Sequence, residues 1–465
     1  MKKTGFFRQL LCCFLALVLM LTPVYAAETN SDISIEQGCR TIDAQQAFHS
    51  GAEELAQTYS ALLYDVTNDV LIYADNPDQQ YYPAGLVKIM TALIVAERAD
   101  LAEQVTVKQE VLDSIAYGSK GMEFQAGEVI PMQELLYCML VEGANIAASL
   151  AADHLCGSQE AFVQEMNDYA AQLGCTNTNF VNVHGLHDEL QVTTARDIAK
   201  IVNAAIKNDV FSEVFSTYAR RIPATNMSEE RKISSSNYLL NRNLGSNHFE
   251  KRATGSRMGV TVGGEVNLVV TAEVDNVELI SIVLGSASEI NPNGEEGCYK
   301  EARILLDKGF NEHNSVQILH DHQVLEQFEV QNGDCDVTTC VKVSSVTSLP
   351  VGVDNADLSY RYTQQNAVIQ APVRKDDTIG TVQVWYQNVC LAQAELFALH
   401  DVGIQEAVAI DDISDEQEVS AFTVLTVVVV IVGLLVMLLV GRRLIFRIIR
   451  SRQLRRHRKN RRRSH

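Results

Sequence analysis

Basic residues are scarce in the middle of this 465-residue sequence. The chain carries 38 Lys and Arg, of which three precede residue 27 and twelve follow residue 440, leaving 23 against 58 Asp and Glu. The middle of the chain therefore has a formal charge of −35, more acidic than the −20 of the whole. So acidic a surface repels phosphate backbones, and the composition excludes nucleic acid as a partner.

Cysteine is also sparse, and its spacing fits no zinc cluster, so we predict no metal site and no cofactor. Two of the ten cysteines lie in the first 26 residues. The other eight are an even number, which permits disulfides outside the cytoplasm without fixing their connectivity. Cys335 and Cys340, on neighbouring turn-rich sequence, are the best candidate pair. Buried free thiols are an equally good interpretation of the others.

Charge is absent from two long apolar runs, the first of which lies near the start of the chain. Residues 1–26 combine basic residues at the start, an apolar core from Leu10 to Leu21 and a small-residue pattern ending at Ala26. This combination predicts a cleaved secretory signal. A buried core helix is the alternative, but no amphipathic period supports it.

The second apolar run, residues 421–440, has the length of a membrane-spanning helix. An acidic linker, 399–420, precedes it and a basic tail, 441–465, follows it. The positive-inside rule then predicts a single-pass cell-membrane protein with a cytoplasmic tail and an extracytoplasmic remainder. A solvated end that contacts anionic lipid explains the tail's charge without nucleic acid.

The residues between signal and anchor divide into a polar linker (27–45), a mixed helix and strand region (46–310) and a strand-rich region (315–398). The elements predicted from hydrophobic period and turn residues are hairpins over 61–65 with 70–74 and 266–273 with 277–284, helices over 135–156, 159–173 and 299–309, and strands at 316–319 and 381–386. We see no internal repeat.

The stretch that organises the sequence is Tyr82–Leu93, a loop that turns into a buried helix. Pro83 suits a first helical turn, and apolar residues then recur at helical spacing. Lys88 is the one charge in this run. Residues three apart share a helix face, so Lys88 lies near position 85. In serine acyl-enzymes with an S-x-x-K motif the lysine amine thereby sits beside the serine hydroxyl, but here the position is Gly85.

Further segments follow in a fixed order. Gly143-Ala144-Asn145 lies in the long helical run, and Ala253-Thr254-Gly255 precedes the predicted hairpin of 266–284. Between them come Asn-Val-His-Gly-Leu at 182–186 and Thr-Thr-Ala-Arg-Asp at 193–197. With these segments in order, and with P-A-G-L-V-K-I-M-T-A from Pro83, the chain resembles the membrane-anchored D-alanyl-D-alanine carboxypeptidases, the low-molecular-mass penicillin-binding proteins.

This resemblance covers residues 46 to 440 and implies a fold. The expected fold is an α/β (α+β) β-lactamase/transpeptidase-like domain with an antiparallel sheet flanked by helices. A small all-β domain and a C-terminal transmembrane helix follow it. The implied substrate is the D-Ala-D-Ala end of a peptidoglycan stem peptide.

The resemblance also implies the site residues. In the family, a serine attacks the peptide carbonyl, a desolvated lysine is the usual candidate base, and a second serine and an asparagine move the proton and hold substrate. A K-T-G lysine and threonine meet the terminal carboxylate. Lys88 and Asn145 are the implied catalytic residues, and Thr254 and Gly255 the implied substrate-binding ones. The two serines and the K-T-G lysine are replaced by, in order, Gly85, Gly143 and Ala253.

Other residues could substitute for those that are missing. Lys251 or Arg252 could supply the positive charge that the third motif, Ala253-Thr254-Gly255, lacks. Strand alternation, however, points Arg252 away from the side that Ala253 faces. Ser60, Ser119 or Thr91 could supply a hydroxyl, but neither serine has a lysine three residues later on a helix, and Thr91 matches an unreactive threonine of the family.

Three functional hypotheses follow. The chain is a peptidoglycan-binding pseudoenzyme, an active serine-type D-Ala-D-Ala carboxypeptidase with a displaced nucleophile, or a structural scaffold for wall-synthesis partners. We expect the first, because both hydroxyls and the third-motif lysine are missing together. His184 is expected to be structural, because the resemblance places it in a scaffold segment.

Overall fold

The computed structural model describes residues 42, 47–49, 55, 58–116, 118–119, 121–244, 248–287, 296–405, 428–443 and 445. The predicted signal and most of the two predicted linkers and basic tail lie outside these residues. Two compact units, residues 1–404 and 405–465, are described separately.

A five-stranded antiparallel sheet forms the centre of the first domain. Its strands, in chain order, are β1 (Ser60–Asp65), β2 (Val70–Asp75), β7 (Ala253–Val260), β8 (Val266–Val274) and β9 (Val277–Ser286). They lie in the order β2-β1-β9-β8-β7, which leaves β7 at one edge. Both predicted hairpins are confirmed. Asp275 and Asn276 join β8 to β9 with positive φ at both positions, as a tight hairpin turn requires.

Helices cover both faces of this sheet. Along the chain they are α1 (Val87–Arg98), α2 (Gln109–Asp113), α3 (Met132–Tyr137), α4 (Asn145–Cys156), α5 (Gln159–Gln172), α6 (Ala195–Ala205), α7 (Asp209–Ser216) and α8 (Glu296–Glu312). Helix α8 packs on one face with the apolar side chains of β8 and β9. Helices α1 and α6 lie in the cluster on the other face.

The predicted single helix over 135–156 is wrong at its middle. Helix α3 continues as a π-helical turn, Cys138–Glu142, and then stops at Gly143, whose φ is +83°. A left-handed residue turns the chain out of the helical path, while the N–H groups of Gly143 and Ala144 bond back to Cys138 O. Helix α4 therefore starts afresh at Asn145, which places that side chain at a helix N-terminus.

Short strands complete the first domain in two pairs, β3 (Gln104–Thr106) with β4 (Val129–Pro131) and β5 (Ala219–Ile222) with β6 (Arg231–Ser234).

The strand-rich region that follows contains β10 (His313–Leu319), β11 (Val324–Phe328), β12 (Val330–Gln331), β13 (Val337–Cys340), β14 (Ser345–Pro350), β15 (Ser359–Gln364), β16 (Ile369–Gln370), β17 (Thr378–Tyr386) and β18 (Val389–Ala398). Five of these form a sheet in the order β11-β13-β18-β17-β15, with its own apolar core.

The predicted Cys335–Cys340 disulfide is wrong, because both residues carry free thiols. Cys340 is buried in β13, whereas Cys335 is exposed in the turn before that strand. Cys390 on β18 is disulfide-bonded instead.

In the second unit, residues 428–443 are helical. The first seven residues of the predicted membrane span, 421–427, lie outside the described residues. Within the described ranges, no helix is both long enough and apolar enough to cross a membrane.

Candidate active site

The first motif, Gly85 to Lys88, begins in a turn that packs between two other glycines, Gly185 and Gly259. Residues Ala84–Leu86 form a 3₁₀ turn that leads into α1, and Ala84 has a φ of +48°. A Cβ on Gly185 would lie 1.9 Å from Ala84 O, and one on Gly259 would lie 2.4 Å from Gly85 N. No side chain fits at either position. The backbones of residues 185 and 259 therefore pack directly against residues 84 and 85.

Lys88 is buried in the first turns of α1, with 2 % of its surface exposed. Its Nζ donates a hydrogen bond to the backbone carbonyl of His184. Burial, and secondly the charge of Arg257, lower the pKa of Lys88 well below its usual value. Both effects favour a neutral amine, the form that a lysine base needs.

The second motif lies at the break between α3 and α4. Gly143 is the left-handed residue of this break, and Asn145 is the first residue of α4. The Asn145 Nδ2 donates to Ser119 O at 2.6 Å, which ties the helix start to the preceding loop. The hydrogen bond to Ser119 therefore fixes the orientation of the Asn145 side-chain amide.

The third motif starts β7 at the edge of the sheet. Thr254 Oγ1 donates to Thr271 Oγ1 on β8 at 2.8 Å. Gly255 packs so closely against α7 that a Cβ there would lie 2.1 Å from the Phe215 ring. Ala253, where the resemblance expects a lysine, supplies no charge.

Arg257, farther along β7, is the residue that our sequence reasoning missed. Its Nε donates to Gly85 O at 3.3 Å and its Nη1 to Leu140 O at 3.0 Å. Its Nη2 lies 2.8 Å from the position that a Cβ of Gly143 would occupy, and 3.5 Å from that of Gly85. The guanidinium thus fills the space into which side chains at 85 and 143 would project. Burial lowers the pKa of Arg257 to about 10, so the group is charged at neutral pH.

Comparison with known families decides the identity of this fold. The sequence profile of the D-alanyl-D-alanine carboxypeptidases matches residues 46–288, more than half of the chain. The profile of the penicillin-binding protein 5 C-terminal domain matches residues 314–403.

The chain belongs to the D-alanyl-D-alanine carboxypeptidase family.

Curated relatives of this carboxypeptidase family are similar over most of their length. The D-alanyl-D-alanine carboxypeptidase DacC of Escherichia coli is 29 % identical over 351 residues, which are 73 % of this chain and 83 % of that protein. DacA of Haemophilus influenzae is 28 % identical over 77 % of this chain and 91 % of its own length. The crystal structure of penicillin-binding protein 5 from Haemophilus influenzae has a TM-score of 0.59 at 28 % identity, covering 75 % of this chain and 98 % of that one.

The substitute cation of this carboxypeptidase-family site is not the one we considered. Arg252, just before β7, forms ion pairs with Glu250 and with Asp307 of α8, at 2.8 and 2.7 Å, so its charge is already paired. Lys251 is exposed. Because alternate residues of a strand share a face, Gly255, Arg257 and Gly259 lie on the same face of β7, the face that meets α7 and the turn before α1. The flanking glycines leave room for the Phe215 ring at Gly255 and for the backbone of Ala84 and Gly85 at Gly259.

His184 supports the loop beside Lys88. Its Nδ1 accepts a hydrogen bond from Leu186 N at 3.2 Å. Burial, followed by the nearby Lys88, lowers the pKa of His184 to about 4, so the ring is neutral at physiological pH. Its carbonyl, rather than its ring, holds the motif lysine, which agrees with the expected structural role.

Proposed function

We propose that this chain is a catalytically impaired, membrane-anchored member of its family that binds peptidoglycan stem peptides without cleaving them. The observation that carries the proposal is the position of Arg257. Its guanidinium lies between Gly85 and Gly143, the positions at which active members of the family carry serines. A cation without a nucleophilic electron pair thus replaces two hydroxyls.

The hydroxyl groups on the motif elements make other bonds. Thr91 Oγ1, one turn after Lys88, donates to Val183 O at 2.7 Å. Thr254 Oγ1 is committed to Thr271. Ser60 Oγ, another candidate considered from the sequence, donates to Asn76 O at 3.0 Å. Loss of one oxyanion donor alone slows such enzymes about 100- to 1000-fold, and loss of the attacking atom removes the covalent pathway.

Peptide binding is supported by what the site keeps. Strand β7 pairs only with β8 among the described strands of its sheet. An edge strand offers backbone groups to an extended peptide, and such strand addition is a common mode of peptide recognition. The Thr254 hydroxyl on this strand donates to Thr271 and can still accept a hydrogen bond from a peptide, which favours retained recognition with lost turnover.

We predict that the full chain, purified in detergent, forms no covalent adduct with a fluorescent penicillin but binds a D-Ala-D-Ala stem peptide reversibly. Gel fluorescence and intact mass spectrometry measure the adduct, and calorimetry measures binding. Purified penicillin-binding protein 5 of Haemophilus influenzae is the positive control for labelling, and an L-Ala-L-Ala peptide is the control for binding. A drug-sized mass on any serine would favour an active enzyme with a displaced nucleophile, whereas absence of both signals would favour a scaffold.

Membrane anchoring completes the proposal, and its support is the charge pattern of the sequence around residues 421–440. We predict that protease added to intact cells, with any outer envelope opened, digests an epitope tag inserted in the 315–398 region and spares one at the C-terminus. A cytoplasmic protein in the same cells serves as the control for integrity. Loss of the C-terminal tag in cells that pass this control would contradict the predicted topology.

A further inference from the structure

The positive charge of this site has moved along β7. The family resemblance places a lysine at position 253, where it meets the carboxylate of the last residue of the peptide. Here position 253 is alanine and the charge is carried by Arg257, whose Nη2 lies 3.5 Å from the position that a Cβ of Gly85 would occupy. Its guanidinium now lies where the attacking serine would meet the carbonyl of the residue before the last.

Removal of the last residue converts that carbonyl into a carboxylate. A stem peptide without its terminal D-Ala therefore carries its negative charge one residue earlier, next to position 85. We propose that the site recognises stem peptides that have already lost the terminal D-Ala, with their new carboxylate bound by Arg257. This inference rests on the proposed function and names the ligand of that site.

The guanidinium is available for such a carboxylate. Its Nε and Nη1 hold the carbonyls of Gly85 and Leu140, whereas Nη2 faces the space beside Gly143. In the described part of the chain, no Asp or Glu forms an ion pair with Arg257. An arginine without an internal counter-ion attracts an anion from solution, and its planar donors match a carboxylate.

The two glycines belong to the same arrangement. A side chain at 143 would meet Arg257 Nη2 at its first carbon, so glycine there keeps the guanidinium in place. Burial lowers the pKa of Lys88 and so disfavours its charged form. Arg257 therefore presents its positive charge in the space that the family otherwise uses for two serine hydroxyls.

The chemistry of the ligand implies its source. Hydrolysis of the bond between the last two D-Ala residues consumes water and releases free D-Ala and the shortened peptide. A D-Ala-D-Ala carboxypeptidase reaction must therefore supply this ligand. The chain would bind the product that active relatives make.

The test compares three synthetic stem peptides with lysine as the third residue, titrated by calorimetry into the full chain in detergent. These are the pentapeptide, the tetrapeptide without the terminal D-Ala, and the same tetrapeptide with a C-terminal amide. We expect the tetrapeptide to bind about 10- to 100-fold more tightly than either of the others, the range for a hydrogen-bonded charge pair. A pentapeptide that binds as tightly as the tetrapeptide would overturn this inference and leave the proposed function intact. No binding by any peptide would overturn both.

Variants locate the effect on Arg257. Arg257→Gln should abolish the preference for the free carboxylate over the amide, and Arg257→Lys should keep part of it. Arg221→Gln is the matched control, because Arg221 is 66 % exposed on β5 and pairs with Glu230. Unchanged preference in a folded Arg257→Gln protein would overturn the assignment, and the amide comparison decides it if that variant does not fold.

Discussion

Restoring the family residues at positions 85, 143 and 253 will restore little penicillin labelling unless Arg257 is also shortened. A serine at 143 would place its Cβ 2.8 Å from Arg257 Nη2. A serine at 85 would place its Cβ 2.8 Å from the backbone oxygen of Met258 and 3.5 Å from the same guanidinium nitrogen. Each hydroxyl would have to enter space that the arginine occupies.

A serine at position 85 would also be too close to the backbone of β7. The serine at 85 requires β7 to move, because its nearest neighbour is a main-chain atom rather than a flexible side chain. Arg257 opposes this movement by tying β7 to the carbonyls of Gly85 and Leu140. Shortening the side chain to alanine frees both the space and the strand. Position 143 retains a cost, because serine is disfavoured at a φ of +83°.

The measurement is a series of variants incubated with fluorescent penicillin. We expect no label on G85S, little on G85S/G143S/A253K, and labelling at least about 100-fold faster when R257A is added, because misplacement of reacting atoms by about 1 Å costs that much. The three restored residues should also act together rather than additively. The variant G143S/A253K/R257A, which has no serine at position 85, is the control that identifies the atom labelled by penicillin. Equal rates with and without R257A would show that the arginine does not obstruct the site.

The parts of this fold that depend on local sequence could be predicted. The Asp275-Asn276 turn and the strands beside it follow from turn chemistry and alternation, and α1 follows from Pro83 and its apolar period. The break at Gly143 could not be predicted, because Ala144 and its neighbours suit a continuous helix. Two tertiary features favour glycine at 143, its φ of +83° and its packing against Arg257 of another element.

The role of Arg257 depends on contacts between distant parts of the chain. It bonds to Gly85 and Leu140, which lie 172 and 117 positions away. Strand alternation predicts that Arg252 faces away from the side that Ala253 faces, but what holds Arg252 is its ion pairs with Glu250 and Asp307, just before β7 begins. The same alternation after the motif gives Gly255, Arg257 and Gly259 on one face. That pattern was a usable signal for a long side chain between two small ones, but the sequence alone does not show which surface it meets.

The second large expected effect concerns Lys88 and pH. Burial, with the Arg257 charge from β7, lowers the pKa of Lys88 in the folded protein, whereas the unfolded chain keeps the ordinary value of 10.5. At a pH between the two values the unfolded state binds one proton more, so the free energy of unfolding rises with pH. The penalty for burying Lys88 is fully present below the folded-state pKa and disappears as the pH approaches 10.5.

The variant Lys88→Met keeps the length and apolar stem of the side chain but cannot titrate. We expect the free energy of unfolding of the wild type, minus that of Lys88→Met, to rise by about 1.4 kcal/mol per pH unit across the window between the lowered folded-state pKa and 10.5. Loss of the bond to the His184 carbonyl shifts this difference by a constant and leaves its slope unchanged. Urea unfolding is best followed by far-ultraviolet circular dichroism, because α1 to α8 lie within residues 87–312, whereas the single tryptophan, Trp385, lies in β17. Ile89→Met, a buried and non-titrating change on the same helix, should keep the wild-type slope. A flat difference between wild type and Lys88→Met would mean that the folded protein holds Lys88 charged, and the neutral amine that favours a base at this position would then be absent.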